Sequence, residues 1–238
     1  MEVRINKFLA EAGVASRRQA DKLVEMGQVT INGIPAKNAD RVCDGDKVCV
    51  KGKQIFAQEE KHVVAFYKPE GVTCTKQDKF AKVTIEDVFR YPLRLNYAGR
   101  LDKDSKGLLI MTNDGELIDR MMRARNHHEK EYIVKVNEKI TEDFIVQMSN
   151  GLYLDELETE TRPCEVIKVG DYTFRIILTQ GLNRQIRRMC GVLGYRVESL
   201  QRVRVMNIEL GDLKPGEYRR VEGEELETLY RLAGIMVQ

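Results

Sequence analysis

The sequence predicts an α+β chain built as two domains of unequal size. Three observations carry that expectation. Residues 1–51 hold two short amphipathic helices, a hairpin and a strand. From Val63 the chain restarts with an apolar strand and runs through further strands and helices. Between them, residues 52–62 are polar and aperiodic, which reads as a linker. The expected boundaries are therefore 1–51, 52–62 and 63–233. With 238 residues, 42% of them hydrophobic, the chain can bury a sizeable core.

In the first domain Ile5, Phe8, Leu9 and Ala12 recur at helical spacing, and Gly13 can end that helix in the left-handed region. Ser16 with Gln19 spells a capping box. The second helix then buries Ala20, Leu23 and Val24 and stops near Gly27. Asn32-Gly33 is a hairpin signal, and Asp44-Gly45 turns the chain into the alternating strand "KVCV". Arg4, Lys7, Arg17, Arg18 and Lys22 lie on or beside the helices; Arg18 and Lys22, one turn apart, share a face.

In the second domain "VVAFYK" is a buried strand, and Pro69 forces the chain out of the sheet. "VTIEDVF" suggests a short helix. "YAGRLDKDSKGLLIMTNDG", residues 97–115, sets Asp102 and Asp104 among Arg100, Lys103 and Lys106 at the mouth of a buried strand. Gly99 and Gly107 permit a tight loop that presents Asp102. Asp104 is expected to pair with Lys103 or Lys106, or to cap the loop. The helix "ELIDRMMRA" turns Leu117, Ile118, Met121 and Met122 inward, with the methionine pair as core filler. "KEYIVKV" alternates as a strand, with Tyr132 on the face of Val134 and Val136. "FRIILTQ" is a strand leading into "GLNRQIRRMCGVLG". Here Asn183 is the expected helix cap, Ile186, Met189, Cys190 and Leu193 form the apolar side, and Arg184, Arg187 and Arg188 the cationic one. In the final strand, "VESLQRVRVMNIEL", Leu200 is directed toward the same place.

The five cysteines are odd in number and lack CxxC spacing, which points to reduced thiols in a cytoplasm. His127-His128 is the only histidine cluster and closes no metal site by itself. No segment is long and apolar enough to cross a membrane, and the polar start is not a signal peptide. The net charge of +2 conceals a segregation. Residues 180–204 hold six arginines, no lysine and one acid, whereas residues 205–238 hold four basic and seven acidic residues. A local basic stripe on a nearly neutral chain suits a polyanion such as RNA.

The phrase "INKFLAEAGVASRRQADKLVEMGQVTINGIPA" resembles the small S-four-like RNA-binding fold. Together with "GRLDKDSKGLLIMTNDG", "HEKEYIVKV" and "GLNRQIRRM", in that order, the chain resembles the ribosomal pseudouridine synthase family, in its large-subunit branch. The resemblance implies a catalytic domain with a mixed, mainly antiparallel central sheet flanked by helices and crossed by an active-site cleft. It implies isomerisation of a uridine in folded RNA without metal or organic cofactor, with the base flipped from its stack. Asp102 matches the family's catalytic carboxylate, as nucleophile or as base at the sugar. Arg187 matches the "Q-I-R" core and is expected to hold the charge of Asp102. Tyr132 is expected to pack on the uracil or guard the carboxylate. Arg4, Lys7, Arg17, Arg18, Lys22, Arg100, Lys103, Arg184 and Arg188 are expected on RNA, and Leu200 as pocket packing. A paired-carboxylate glycosidase is disfavoured by the basic surroundings. The expected substrate is large-subunit (23S) ribosomal RNA, with small-subunit RNA, transfer RNA or a catalytically silent ribosome-assembly factor as alternatives. The protein is expected to be a cytoplasmic monomer.

Overall fold

The structure is a computed structural model that describes residues 2–56, 60–75, 82–123 and 126–236. Its contacts divide the chain into two compact units. The first takes the described part of 1–62 together with Tyr91–Asn96 and Asn113–Gly115. Both return segments are tied at His62: its backbone N–H donates to Asn113 Oδ1 at 2.8 Å, and its Nδ1 lies 2.7 Å from the Tyr91 hydroxyl.

The first unit opens with strand β1 (Val3–Arg4) and helices α1 (Ile5–Glu11) and α2 (Arg17–Glu25). Five strands follow: β2 (Val29–Ile31), β3 (Ile34–Pro35), β4 (Arg41–Val42), β5 (Val48–Val50) and β6 (Lys53–Ile55). Ser16 and Gln19 form the reciprocal capping box, with Oγ accepting from the Gln19 N–H at 3.3 Å and Gln19 Oε1 accepting from the Ser16 N–H at 3.0 Å. Ile5, Leu9, Ala20, Val24, Val29 and Val48 build one apolar core. Asn32 and Gly33 both take positive φ, 52° and 83°, which is the turn whose twist suits a tight hairpin between β2 and β3. The polar stretch 52–62 departs from its expected role as a linker at its start: β6 pairs antiparallel with β5, and its residues are mostly exposed. An edge strand needs only one bonded side, so its apolar signal is weak. Residues 57–59 of that stretch lie outside the described residues.

The second unit comprises β7 (Val63–Lys68), α3 (Ile85–Val88), β8 (Asn96–Ala98), β9 (Lys106–Thr112), α4 (Gly115–Met122), β10 (Lys130–Val136) and α5 (Glu142–Asn150). After the small pair β11 (Tyr153–Leu154) and β12 (Thr159–Glu160) come β13 (Glu165–Gly170), β14 (Thr173–Leu178), α6 (Gln185–Val192) and β15 (Val197–Val205). The remainder is β16 (Ile208–Glu209), β17 (Tyr218–Arg220) and α7 (Gly223–Leu232). The main sheet runs β13-β14-β10-β15-β9-β7-β17, with β16 beside β15 and β8 beside β9. Among the described residues its ladders between these strands are antiparallel except β9 with β15, which is parallel at Gly107 and Arg202. The expected α+β class and mixed, mainly antiparallel sheet are thus present. β7 is buried along its whole length, in keeping with its unbroken apolar run.

Two cores flank this sheet. One gathers Ala65, Leu108, Ile110, Leu117, Met121 and Leu229; the other Val134, Phe144, Phe174, Ile176, Met189 and Leu200. Only half of the expected methionine pair is core: Met121 is buried, while Met122 is 50% exposed. The cap of α6 also differs. Arg184, not Asn183, occupies the N-cap, in the left-handed region at φ 52°. The Asn183 side chain instead accepts from Arg188, and Gln185 Oε1 accepts from the Leu182 N–H at 3.2 Å. Among the described residues no helix is long and apolar enough to cross a membrane.

Candidate active site

A cleft of about 340 Å³ opens in the second unit. The loop between β8 and β9 supplies Arg100, Asp102 and Ser105; β10 supplies Lys130 and Tyr132; the turn into α6 supplies Arg184; β15 supplies Leu200 and Arg202. Strands far apart in sequence meet here because β10 pairs with both β14 and β15, and β15 crosses to β9. Asp102 is partly exposed, whereas Leu101 beside it and Ser105 are buried, so the loop is fixed from below while its carboxylate faces the cleft. The Ser105 N–H donates to the Asp102 carbonyl at 3.1 Å, and the Gly71 N–H to that of Lys103 at 2.7 Å.

The arginines of α6 are not where the sequence reading put them. Arg187 sends its guanidinium to Asp104: one N–H donates to the Asp104 carbonyl oxygen at 2.6 Å, and Nε lies 3.3 Å from the Asp104 carboxylate. Its other terminal nitrogen donates to the Val197 carbonyl at 3.3 Å. Arg184 grips Asp104 with both terminal nitrogens, at 3.1 and 2.6 Å, and lies 3.9 Å from Asp102. Among the described residues the cation paired with the Asp102 carboxylate is therefore Arg184, not Arg187. Asp104 pairs with α6 and not with Lys103 or Lys106. The reason is geometric: Lys103 points to solvent, and the planar guanidinium fork matches a carboxylate in two-point contact. Burial alone would raise the Asp104 pKa, but hydrogen bonding to Arg184 and the charges of Arg187 and Arg184 hold it below the usual carboxylate range. Arg188 is engaged by Glu156 and by Asn183.

Tyr132 is half-buried, packs on the second core and stands opposite Arg202 in the ladder. Leu200 is buried and lines the cleft. Arg100 and Lys103 are exposed, as are Arg4, Arg17, Arg18 and Lys22 in the first unit; Lys7 pairs with Glu11 at 3.6 Å.

The sequence does not single out two buried cations, Lys68 and Arg202, or the half-buried Lys130. Lys68 is fully buried, donates to the Pro69 and Val72 carbonyls at 2.8 Å each, and is pushed down to about 8 by burial. The charges of Cys74, Asp104, Glu70 and Asp102 oppose that shift. Arg202 is 2% exposed and donates to the Leu108 carbonyl at 2.7 Å and to that of Gly99 at 3.4 Å. It thereby braces both ends of the Asp102 loop. Lys130 is lowered by burial and by the neighbouring charge of Arg202. The signal available was a lysine ending the apolar run of β7 and an arginine sharing strand parity with Leu200. Among the described residues no cluster of three or more His, Cys, Asp or Glu side chains could hold a metal ion.

Comparison with known proteins gives the family of the chain. The family model for RNA pseudouridylate synthase matches residues 62–191, and that for the S4 domain matches residues 3–48. The dual-specificity RNA pseudouridine synthase RluF of Escherichia coli K12 is 45% identical over 232 residues, 97% of this chain and 79% of that protein. Ribosomal small subunit pseudouridine synthase A of Pasteurella multocida is 34% identical over 230 residues, covering 95% of this chain and 99% of that one. Ribosomal large subunit pseudouridine synthase B of Bacillus subtilis is 32% identical over 236 residues, 97% and 96% of the two chains. A crystal structure of a pseudouridylate synthase superposes with a TM-score of 0.70 at 30% identity, covering 95% of this chain and 99% of that one. The chain belongs to the RNA pseudouridylate synthase family, isomerases of uridine in RNA, in a branch carrying an N-terminal S4 domain.

Proposed function

We propose that the chain isomerises uridine in ribosomal RNA and in a second class of RNA, with Asp102 as the reacting carboxylate. The observation that carries the proposal is the placement of Asp102 on a braced loop, facing a cleft it shares with Tyr132 and Arg184. The N1–C1′ bond of the target breaks, the base turns, and C5 bonds to C1′. Asp102 acts at the sugar, and Tyr132 packs against the uracil. Arg184 places a cation 3.9 Å from the Asp102 carboxylate.

The single large-subunit target expected from the sequence gives way to a broader reading. A relative named dual-specificity covers 97% of the chain, and a small-subunit synthase is also 34% identical. Transfer RNA is the second substrate of choice, since its compact stems suit recognition by shape and phosphate contact. Residues 1–51 serve as the RNA-gripping module, through Arg4, Arg17, Arg18 and Lys22, and residues 63–233 as the catalytic domain. The protein works as a monomer in the cytoplasm, in keeping with its free cysteines.

Mapping pseudouridine in ribosomal and transfer RNA from cells lacking this protein tests the substrate reading. Loss of one ribosomal and one transfer-RNA site is the expected result. Loss confined to a single class of RNA contradicts the dual substrate.

A further inference from the structure

We propose that Asp104 is a positioning residue of this site: it holds Arg184 and Arg187 against the loop that carries Asp102 and so sets how much positive charge reaches that carboxylate. The inference rests on Asp102 being the reacting group. Asp104 itself touches no reacting atom; its carboxylate and its backbone carbonyl are both spent on α6.

Three observations converge. The contact with Arg184 is two-pronged, at 3.1 and 2.6 Å, which fixes the guanidinium in direction as well as distance. Arg187 donates to the Asp104 and Val197 carbonyls, and its Nε lies 3.3 Å from the Asp104 carboxylate, so it has little freedom to swing toward Asp102. Arg184 also adopts a left-handed backbone, φ 52°, a conformation a non-glycine residue keeps only where its surroundings impose it. The residue that receives the guanidinium so presented is Asp104, eighty positions away in sequence.

The charge balance explains the use of a second carboxylate. Two guanidiniums and two carboxylates meet between the loop and α6. If Asp104 loses its charge, Asp102 becomes the remaining anion of the group, and Arg184 is already 3.9 Å away. At that separation opposite charges attract. Arg184 would then close onto Asp102 in the same two-pronged way and tie up the oxygens that must act at the sugar. With Asp104 in place, Arg184 stands 3.9 Å from Asp102 and is too firmly held to cap it.

The test is single-turnover release of tritium from C5 of uridine in a ribosomal RNA transcript, with enzyme in saturating excess, beside a filter-binding Kd for the same RNA. Asp104→Asn is expected to slow the saturated rate by about tenfold or more while leaving Kd within about threefold, the pattern of a misplaced catalytic group. Asp104→Glu, which keeps the charge but moves it by one methylene, is expected to recover part of that rate. A purely structural role would lower the melting temperature of Asp104→Asn yet leave folded enzyme at the wild-type saturated rate. That result, or a loss confined to Kd, overturns the proposal; so does an Asp104→Glu rate no better than that of Asp104→Asn. Asp102→Asn in the same assay keeps the two ideas apart. Wild-type release by Asp102→Asn removes the reading on which the proposal rests, whereas a silent Asp102→Asn beside a fully active Asp104→Asn removes only the positioning role.

Discussion

Gly107 is where the Asp102 loop meets the parallel step of the sheet, and Gly107→Ala puts that junction under a defined load. A Cβ there would lie 2.2 Å from the Arg202 carbonyl oxygen and 2.8 Å from its nitrogen, where ordinary contact begins at 3.4 Å. Both are backbone atoms, so no side chain can turn aside. The φ of 106° adds strain of its own, about 1–3 kcal/mol for a residue other than glycine. β9 and β15 must separate, and the Arg202 hydrogen bonds to the Leu108 and Gly99 carbonyls stretch with them. A hydrogen bond from a charged group contributes about 1.5–3 kcal/mol. Together the expected loss is about 3–5 kcal/mol, a large share of the about 5–15 kcal/mol typical of a folded domain. The chain has no tryptophan, so urea unfolding is followed by far-UV circular dichroism. The midpoint should fall with the slope unchanged. A loss under about 1 kcal/mol would refute the reasoning, since it would mean that the two strands part without cost.

Other outcomes follow from the same geometry. Glu131→Gln leaves Arg204 and Arg175 short of a shared carboxylate, which they hold at 2.8 and 3.4 Å, and should cost about 1–2 kcal/mol in urea melts. Ser16→Ala removes an exposed capping box and should cost about 1 kcal/mol; no change would show that α2 is held by packing alone. Lys68 titrates near 8 when folded and at 10.5 when unfolded, so the unfolded chain holds more protons between those values and stability gains with rising pH. The melting temperature of the wild type relative to Lys68→Met should therefore climb from pH 7.5 to pH 9.5, and parallel curves would contradict the buried-ammonium reading. Arg18→Ala should weaken RNA binding and reduce the salt slope by about one, and an unchanged slope would place Arg18 off the phosphate backbone.

Much of the fold was legible because its signals are local. The capping box, the Asn32-Gly33 turn, the apolar stripes of α1, α2 and α6 and the alternation of β10 are written within a few residues of one another. β6 was missed because an exposed edge strand carries almost no apolar pattern. In the site, Asp102, Tyr132 and Leu200 could be nominated from motif and parity. The partnership of Asp104 could not, because its guanidiniums lie 80 and 83 residues away, while Lys103 and Lys106 sit beside it in sequence. Nothing local in the sequence marks Lys68 or Arg202 as buried. Only the ladder that surrounds each of them shows that backbone carbonyls replace water as their partners.

The account stands most directly on Asp102. Purified enzyme incubated with ribosomal RNA bearing tritium at uridine C5 should release that tritium, because isomerisation frees the hydrogen at C5. Asp102→Asn, shown by its melting curve to be folded and by its Kd to bind the same RNA, should release none above background. Equal release by the two proteins would contradict the central claim.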